Sequence, residues 1–333
     1  MNLSLLKEIL KDQPKFRYQQ VYKAVYQELI GDWQEATILP LVLREKLNAE
    51  CPLSIEAEIS SSKESKKALI TLEDGLKVET VLISHKDKRN TVCVSSQVGC
   101  PMGCVFCATG TLGFKRNLTK DEIIEQVLLF ARMLKKTGEK VTNVVFMGMG
   151  EPFLNYENVI NAIRFLNSEE SLNLGARRFS ISTAGVINGI RKLAKENLEV
   201  NLAFSLHAAD NELRTAIMPI NKKYPLDKVL LAIIDYIEQT HRRVMFEYVM
   251  IDGLNDSISD ARRLVAKVKG ILGFVNLIPY NKTEMNKPSS PERIRKFKEI
   301  LEQSGIAVVQ RHAFGQDIDA ACGQLAGRKA RNV

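Results

Sequence analysis

The sequence predicts an α/β protein: an incomplete (β/α)6 TIM-like barrel preceded by a small helical module and a β-hairpin. Three observations predict it. From Thr91 onward, short β-rich runs alternate with amphipathic helical stretches, and repeated βα units require a parallel sheet covered by helices. The glycine-rich and polar motifs of that region fall at the C-terminal ends of the runs, the rim where parallel α/β folds bind ligands. No low-complexity segment or long linker divides the region. Periodicity does not separate an open barrel from a doubly wound sheet, and the number of units favours the barrel.

Residues 1–55 read as helical, because "LSLLKEIL" and "FRYQQVYKAVYQEL" carry apolar residues at helical spacing on either side of Pro14. Residues 56–90 hold "ALITLEDGLKVETVLIS", two β-rich runs about Asp74-Gly75, and are expected to form a hairpin linker region. Residues 91–333 form the barrel and a C-terminal extension. Its strands are expected at "TVCVS", "TNVVFMG", "RFSIST", "VNLAFSL", "RVMFEYVMI", "FVNLIPY" and "AVVQRH". Helices are expected at about 119–137, 156–167, 187–196, 225–240, 257–268 and 290–304. At the strand ends stand "GMGEP", Ser182-Thr183, Ser205-Leu206-His207 and Asn281.

Hydrophobic content of 45% and charged content of 26% are ordinary for a soluble globular protein. No apolar run approaches the roughly 18 residues that span a bilayer, and "MNLSLLKEILKDQ" is too charged for a signal peptide. A cytoplasmic protein without membrane association is expected. The six cysteines are too few and too clustered for a secreted disulfide framework, so the cluster points to metal or redox chemistry. The net charge of +8 suits an anionic partner such as nucleic acid. Basic pairs recur at Lys115-Arg116, Arg177-Arg178, Lys222-Lys223 and Arg242-Arg243, with Arg328, Lys329 and Arg331 in the tail. Charge alone suits a solvated surface equally well.

Four of the cysteines lie in "CVSSQVGCPMGCVFCATG", where Cys100, Cys104 and Cys107 are spaced C-x3-C-x2-C and Cys93 precedes them by seven residues. Structural zinc takes four ligands in paired knuckles, and no second pair is present. Three thiolates on one loop can each hold one iron of a cubane cluster, leaving the fourth iron open to a substrate. Other residues admit two readings from their setting alone. Cys322 in "DAACGQL" is a packing thiol or a reactive one. His207 is a hydrogen-bonded rim histidine or a ligand contact. "GMGEP" is a tight turn, or a place where Gly148 and Gly150 let backbone approach a ligand while Glu151 accepts a hydrogen bond from it. Cys51 reads as packing. Glu79 in "KVETVLIS" reads, from its setting alone, as a solvated strand residue.

The trio, with Phe106 before its last cysteine, resembles the signature of the radical S-adenosylmethionine (radical SAM) enzymes. "CVSSQVGCPMGCVFCATGTLGFKRNLT", "NVVFMGMGEPFLNYENVI", "FSLHAADNELRTAIMPINKKYPLD", "VNLIPYN" and "GQDIDAACGQLAG" resemble, in order and over nearly the whole barrel region, the RlmN/Cfr family of RNA adenine methyltransferases. The likeness is strongest to its RlmN branch, and "FRYQQVYKAVY" resembles that family's helical module. The resemblance implies a radical SAM barrel, one [4Fe-4S] cluster on Cys100, Cys104 and Cys107, and two SAM molecules per turnover, one of them cleaved to a 5′-deoxyadenosyl radical. It implies a SAM pocket of Gly150, Glu151, Ser182, Ser205, Leu206, His207 and Asn281. By the same resemblance Cys322 receives a methyl group and becomes the tether to RNA, Glu79 accepts the ring proton, and Cys93 frees the product through a transient disulfide with Cys322. The implied substrates are an adenosine in the peptidyl transferase centre of 23S rRNA, before ribosome assembly is complete, and the adenosine next to the anticodon in tRNA, each methylated at C2. An electron donor such as flavodoxin, an RNA-binding role for residues 1–55, and a monomer complete the expectation.

Two alternatives stand beside this one. A Cfr-type enzyme would methylate C8 of the rRNA adenosine. A non-enzymatic RNA-binding protein with a structural Fe–S cluster would leave Cys93 and Cys322 unexplained. "GMGEP" with Pro152 and "CGQLAG" resemble the C2 branch, whereas "RHAFGQDID" with Phe314-Gly315 resembles the C8 branch where the C2 branch carries a basic stretch.

Overall fold

Prolines and apolar spacing set the N-terminal helices α1 (Leu3–Leu10), α2 (Lys15–Tyr22) and α3 (Leu41–Glu50). Pro14 and Pro40 stand immediately before α2 and α3, where a missing N–H costs nothing. The fully buried Trp33 fixes the module from within, its indole N–H donating to the Cys51 carbonyl at 2.7 Å. Cys51 is a buried packing residue there. The structure is a computed structural model and describes residues 3–281, 286–311 and 314–326. The basic tail residues Arg328, Lys329 and Arg331, with His312 of "RHAFGQDID", lie outside the described residues.

Strands β1 (Ala57–Ser61), β2 (Ser65–Thr71) and β3 (Lys77–Ser84) follow, antiparallel in sequence order. The β2–β3 turn falls at Asp74-Gly75 as expected, with Gly75 at φ +78°. Strand β1 was not expected, because "AEISS" offers only one large apolar side chain. The barrel then runs through β4 (Asn90–Cys93), β5 (Gln97–Gly99), β6 (Phe114–Asn117), α4 (Lys120–Lys135), β7 (Asn143–Phe146) and α5 (Tyr156–Asn167). It continues with β8 (Phe179–Thr183), α6 (Ile187–Ala194), β9 (Asn201–Ser205), α7 (Asn211–Ile217) and α8 (Leu226–Thr240). Last come β10 (Val244–Met250), α9 (Ile258–Val268), β11 (Gly273–Pro279), α10 (Pro291–Gln303) and β12 (Val308–Gln310).

The order β1-β2-β3-β4-β7-β8-β9-β10-β11-β12 makes one ten-stranded sheet, parallel from β4 onward. It is open, with β1 and β12 as its two edges. The incomplete barrel is therefore present, and β3 pairs with β4 so that the hairpin extends the barrel sheet. Capping boxes at Thr119/Glu122 and Ser257/Asp260 start α4 and α9. The helical module packs on α5 through Tyr26 and Phe165, whose ring centroids lie 4.7 Å apart. Sequence reading missed α7, too short for periodicity, and the β5–β6 pair, whose "FKRN" strand has three polar residues in four.

Candidate active site

The loop of the three cysteines leaves β5 at Gly99 and ends at β6, which pairs antiparallel with β5 in a separate two-stranded sheet. Cys100, Cys104 and Cys107 line one cavity at the C-terminal rim of the parallel strands, together with Gly150, Glu151, Ser182, Ser205 and His207. Burial pushes the Cys100 thiol up to about 12 and raises Cys104 further, so ligation to iron would have to displace their protons. Among the described residues no three His, Cys, Asp or Glu side chains are spaced to hold a single metal ion. Three thiols lining one cavity fit the cubane cluster that the C-x3-C-x2-C spacing suggests.

Gly148 and Gly150 of "GMGEP" line the cavity, and the protein's own packing also requires them. A Cβ on Gly148 would stand 2.7 Å from the Val94 carbonyl oxygen, and one on Gly150, at φ +100°, would strike the Gln97 side chain at 2.6 Å. The Gln97 Oε1 accepts from the Glu151 N–H at 2.9 Å, locking the two loops together. The Glu151 carboxylate is buried and accepts from the N–H groups of Phe153 at 3.1 Å and Ala184 at 2.7 Å. Burial pushes its pKa up to about 7 against those hydrogen bonds. Glu247, on β10, lines the same cavity, and burial raises its pKa too. Two buried carboxylates suit a cationic guest, and SAM carries both a sulfonium and an ammonium group.

Ser182 and Ser205, at the ends of β8 and β9, share a hydrogen bond of 3.2 Å. His207 adopts the left-handed region at φ +56° and accepts the Val249 N–H on Nδ1 at 3.1 Å. Burial, aided by the Arg214 charge, drops its pKa to about 3, so it is neutral. Its ring meets Phe106 edge-on at 5.0 Å. Leu206 is fully buried and does not line the cavity; it contributes backbone, donating its N–H to Glu247 O at 3.0 Å.

Sequence reading overlooked Arg214, on α7, although it lies inside "ADNELRTAIMP". Fully buried, it donates to the carbonyls of Leu206 (3.1 Å), Ala184 (2.8 Å) and Ser205 (3.1 Å) and to Asn221 Oδ1 at 2.8 Å. It thereby ties the ends of β8 and β9 together.

Cys322 lies in the loop beyond β12 and lines the same cavity as the trio. It also lines an adjoining cavity with Cys93, Arg311 and Asn281. Asn281 holds the Cys322 loop: its Nδ2 donates to Cys322 O at 3.0 Å, and its Oδ1 accepts from Gln316 at 2.8 Å. The loop is held further by Ala108 N–H to Gly323 O at 2.7 Å and Thr109 Oγ1 to Leu325 O at 2.6 Å. Burial pushes Cys93 up to about 12, opposed by the Arg311 charge. Cys322, Glu247 and Cys93 in turn raise the Arg311 pKa, with Cys322 foremost. Arg311 was read only as the end of a strand.

Comparison with known proteins decides the family. Residues 94–265 match the Radical SAM superfamily. The chain is 47% identical to the "probable dual-specificity RNA methyltransferase RlmN" of Dictyoglomus turgidum, over 96% of this chain and 93% of that protein. It is 46% identical to the protein of the same description from Thermotoga neapolitana, over 93% and 91%. The chain belongs to the RlmN family of radical SAM RNA methyltransferases. A crystal structure of a radical SAM methyltransferase from Sphaerobacter thermophilus superposes with a TM-score of 0.92 at 42% identity, covering 98% of both chains.

Glu79 occupies an unexpected setting for an RlmN family member's proton acceptor. It is fully buried, not solvated, and it lines neither cavity. Lys67 Nζ lies 2.9 Å from its Oε1, and Ala326 N–H donates to Oε2 at 2.6 Å. The RlmN family's RNA substrate calls for basic surface, and part of the expected surface is already committed. Arg116 pairs with Asp74 at 2.6 Å and Glu122 at 2.8 Å, and Arg177 pairs with Glu199 at 2.9 Å. Lys115, Lys222 and Lys223 are exposed. Among the described residues no helix is long and apolar enough to cross a membrane.

Proposed function

We propose that this chain methylates C2 of an adenosine in 23S rRNA and of the adenosine next to the anticodon in tRNA, carrying the methyl group on Cys322. The observation that carries this reading is the position of Cys322, which shares one cavity with Cys100, Cys104 and Cys107 and a second with Cys93. A thiol shared in this way can take up a methyl group beside the cluster and give up its product to the second thiol. A [4Fe-4S] cluster on the trio would supply reductive cleavage of SAM, with two SAM molecules consumed per turnover and an electron donor such as flavodoxin. Gly150, Glu151, Ser182, Ser205, Leu206 and His207 shape the pocket for SAM, and Asn281 orients the Cys322 loop beside it.

Once the methylene radical has added to adenine, Glu79 accepts the ring proton, the adduct's unpaired electron would return to the oxidised cluster that Cys100, Cys104 and Cys107 would hold, and Cys93 thiolate attacks Cys322 Sγ of the resulting closed-shell thioether. The Sγ–methylene bond breaks, its electron pair leaves on the methylene carbon, which takes a proton to become methyl, and a Cys93–Cys322 disulfide remains. Arg311 stands where it stabilises the attacking thiolate.

Residues 1–55 serve as an RNA-binding module, 56–90 as the hairpin and 91–333 as the catalytic barrel. Exposed Phe16, with the Arg17 guanidinium 5.0 Å from its ring centroid, offers a stacking surface on the module. Exposed Leu112, Phe114 and Lys115 offer another beside the cluster loop. The protein acts as a cytoplasmic monomer. Mass-spectrometric mapping of the modified adenine after expression in a host lacking its own enzyme tests the reading. Methyl at C2 is expected; methyl at C8 would establish the Cfr-type reaction, and no methyl would remove the enzymatic reading.

A further inference from the structure

Cys322 lies between two points at which its loop is tied to the hairpin, and both ties end on one ion pair. Asp319, three residues before Cys322, accepts at its carbonyl from Lys67 Nζ at 3.3 Å. Ala326, four residues after it, donates its N–H to Glu79 Oε2 at 2.6 Å. Lys67 and Glu79 are diagonal neighbours on β2 and β3, since Lys67 faces Val81 and Leu69 faces Glu79. They meet at 2.9 Å with side-chain exposures of only 3% and 0%.

Hairpin pairing needs neither charge, and removing two charges from water costs more than an apolar pair of similar size would. What the pair provides that apolar residues could not is reach to two backbone groups. A protonated amine can pair by charge with the carboxylate while it donates a hydrogen bond to the Asp319 carbonyl. An ionised carboxylate has two oxygens, of which one faces the amine as an ion pair and the other accepts from the Ala326 N–H. The two backbone groups bracket the reactive cysteine.

We propose that the Lys67–Glu79 pair is a clamp that holds the Cys322 loop across the barrel mouth, with Lys67 as its positioning residue. Its functional meaning rests on the reading that Cys322 carries the methyl group. Glu79 then has two tasks that exclude each other. While ionised, it anchors Ala326. When it takes the proton from the adenine ring, the C–H electron pair staying on the base, it becomes a neutral acid and holds both Lys67 and the Ala326 N–H more weakly. Proton acceptance by Glu79 thereby loosens the loop at the stage when Cys322 must turn to Cys93.

Amide hydrogen exchange on the full-length protein tests the clamp without requiring turnover. In Lys67→Met, exchange across residues 319–326 should rise by about tenfold or more, while peptides of β8 and β9 keep their protection. Lys67→Arg should restore most of the protection, because it returns the charge. Glu79→Gln, a neutral acceptor, should give an intermediate rise in the same segment. The Lys67→Met/Glu79→Gln variant leaves no buried charge unpaired and must show the same localised loosening, which keeps the test decisive if Lys67→Met alone does not fold. Unchanged exchange at 319–326, or an equal rise in β8 and β9, overturns the clamp. The mass of the Cys322 peptide from reconstituted wild-type protein separates the two readings. An unmethylated Cys322 with localised loosening in the variants sinks the methyl-carrier role alone, and a methylated Cys322 with no loosening sinks the clamp alone.

Discussion

Cys93, the last residue of β4, and Cys322, in the loop beyond β12, line one cavity, although the full width of the parallel sheet separates them in sequence. Arg311 follows β12 and lines that cavity as well. Burial alone would leave Cys93 a poor nucleophile, and the guanidinium opposes that effect.

Cys93→Ala should leave cluster content and methylation of Cys322 intact and stop only product release. Water is a poor substitute for a thiolate at a thioether-like sulfur. The variant should accumulate RNA joined to Cys322, visible as a nuclease-sensitive shift on denaturing gels. Cys322→Ala should keep its iron and lose RNA methylation, and the double variant should show no shifted band. Normal turnover by Cys93→Ala would remove the two-cysteine mechanism.

Cys104→Ala removes one of the three thiols that line the cavity and are proposed to hold the cluster. Iron per chain after anaerobic reconstitution should fall, and SAM cleavage to 5′-deoxyadenosine should drop by about a hundredfold or more. Near-normal cleavage would show that the trio does not hold the cluster.

Arg214→Leu deletes the donors that join Ala184, Ser205 and Leu206. Three carbonyls and Asn221 Oδ1 would lose this donor in the interior, although Leu206 O keeps the Ala208 N–H, and a loss of about 3–5 kcal/mol is expected. Arg214→Lys should recover little, because an ammonium cannot span the same acceptors. Urea unfolding of the apoprotein measures both.

His207 carries a pH signature. Its folded pKa is about 3, depressed by burial, against an unfolded value of about 6.5. Below the unfolded value the unfolded chain binds a proton that the folded chain refuses. The stability contributed by neutral His207 is therefore complete above about pH 6.5 and is lost as pH falls toward 3, with a slope of about 1.4 kcal/mol per pH unit. His207→Asn should flatten the pH dependence of apoprotein stability by that slope between pH 6.5 and the onset of acid unfolding. An unchanged slope would mean that His207 protonates freely in the folded state.

The sequence by itself determined the parallel βα succession and the C-x3-C-x2-C loop on it, and family likeness alone joined Cys93 to a distant thiol as an expectation. The helices α4, α5, α8, α9 and α10 fall within about two residues of their expected bounds, because amphipathic periodicity is a local property that survives folding. Partner identity is not local, and there the tertiary structure decided. Nothing in the run of residues 65–71 marks one lysine apart from its neighbour, yet on β2 Lys67 is buried against Glu79 and reaches the Asp319 carbonyl of the C-terminal loop. Gly148 and Gly150 read as an approach for ligand and do line the cavity, but only the folded protein shows that a Cβ at either would also strike Val94 or Gln97. Arg214 and Arg311 look like two more cations in a basic chain until the folded protein surrounds them with carbonyls in one case and thiols in the other. A charge acquires a role only from what desolvates it, and desolvation is a property of the assembled fold.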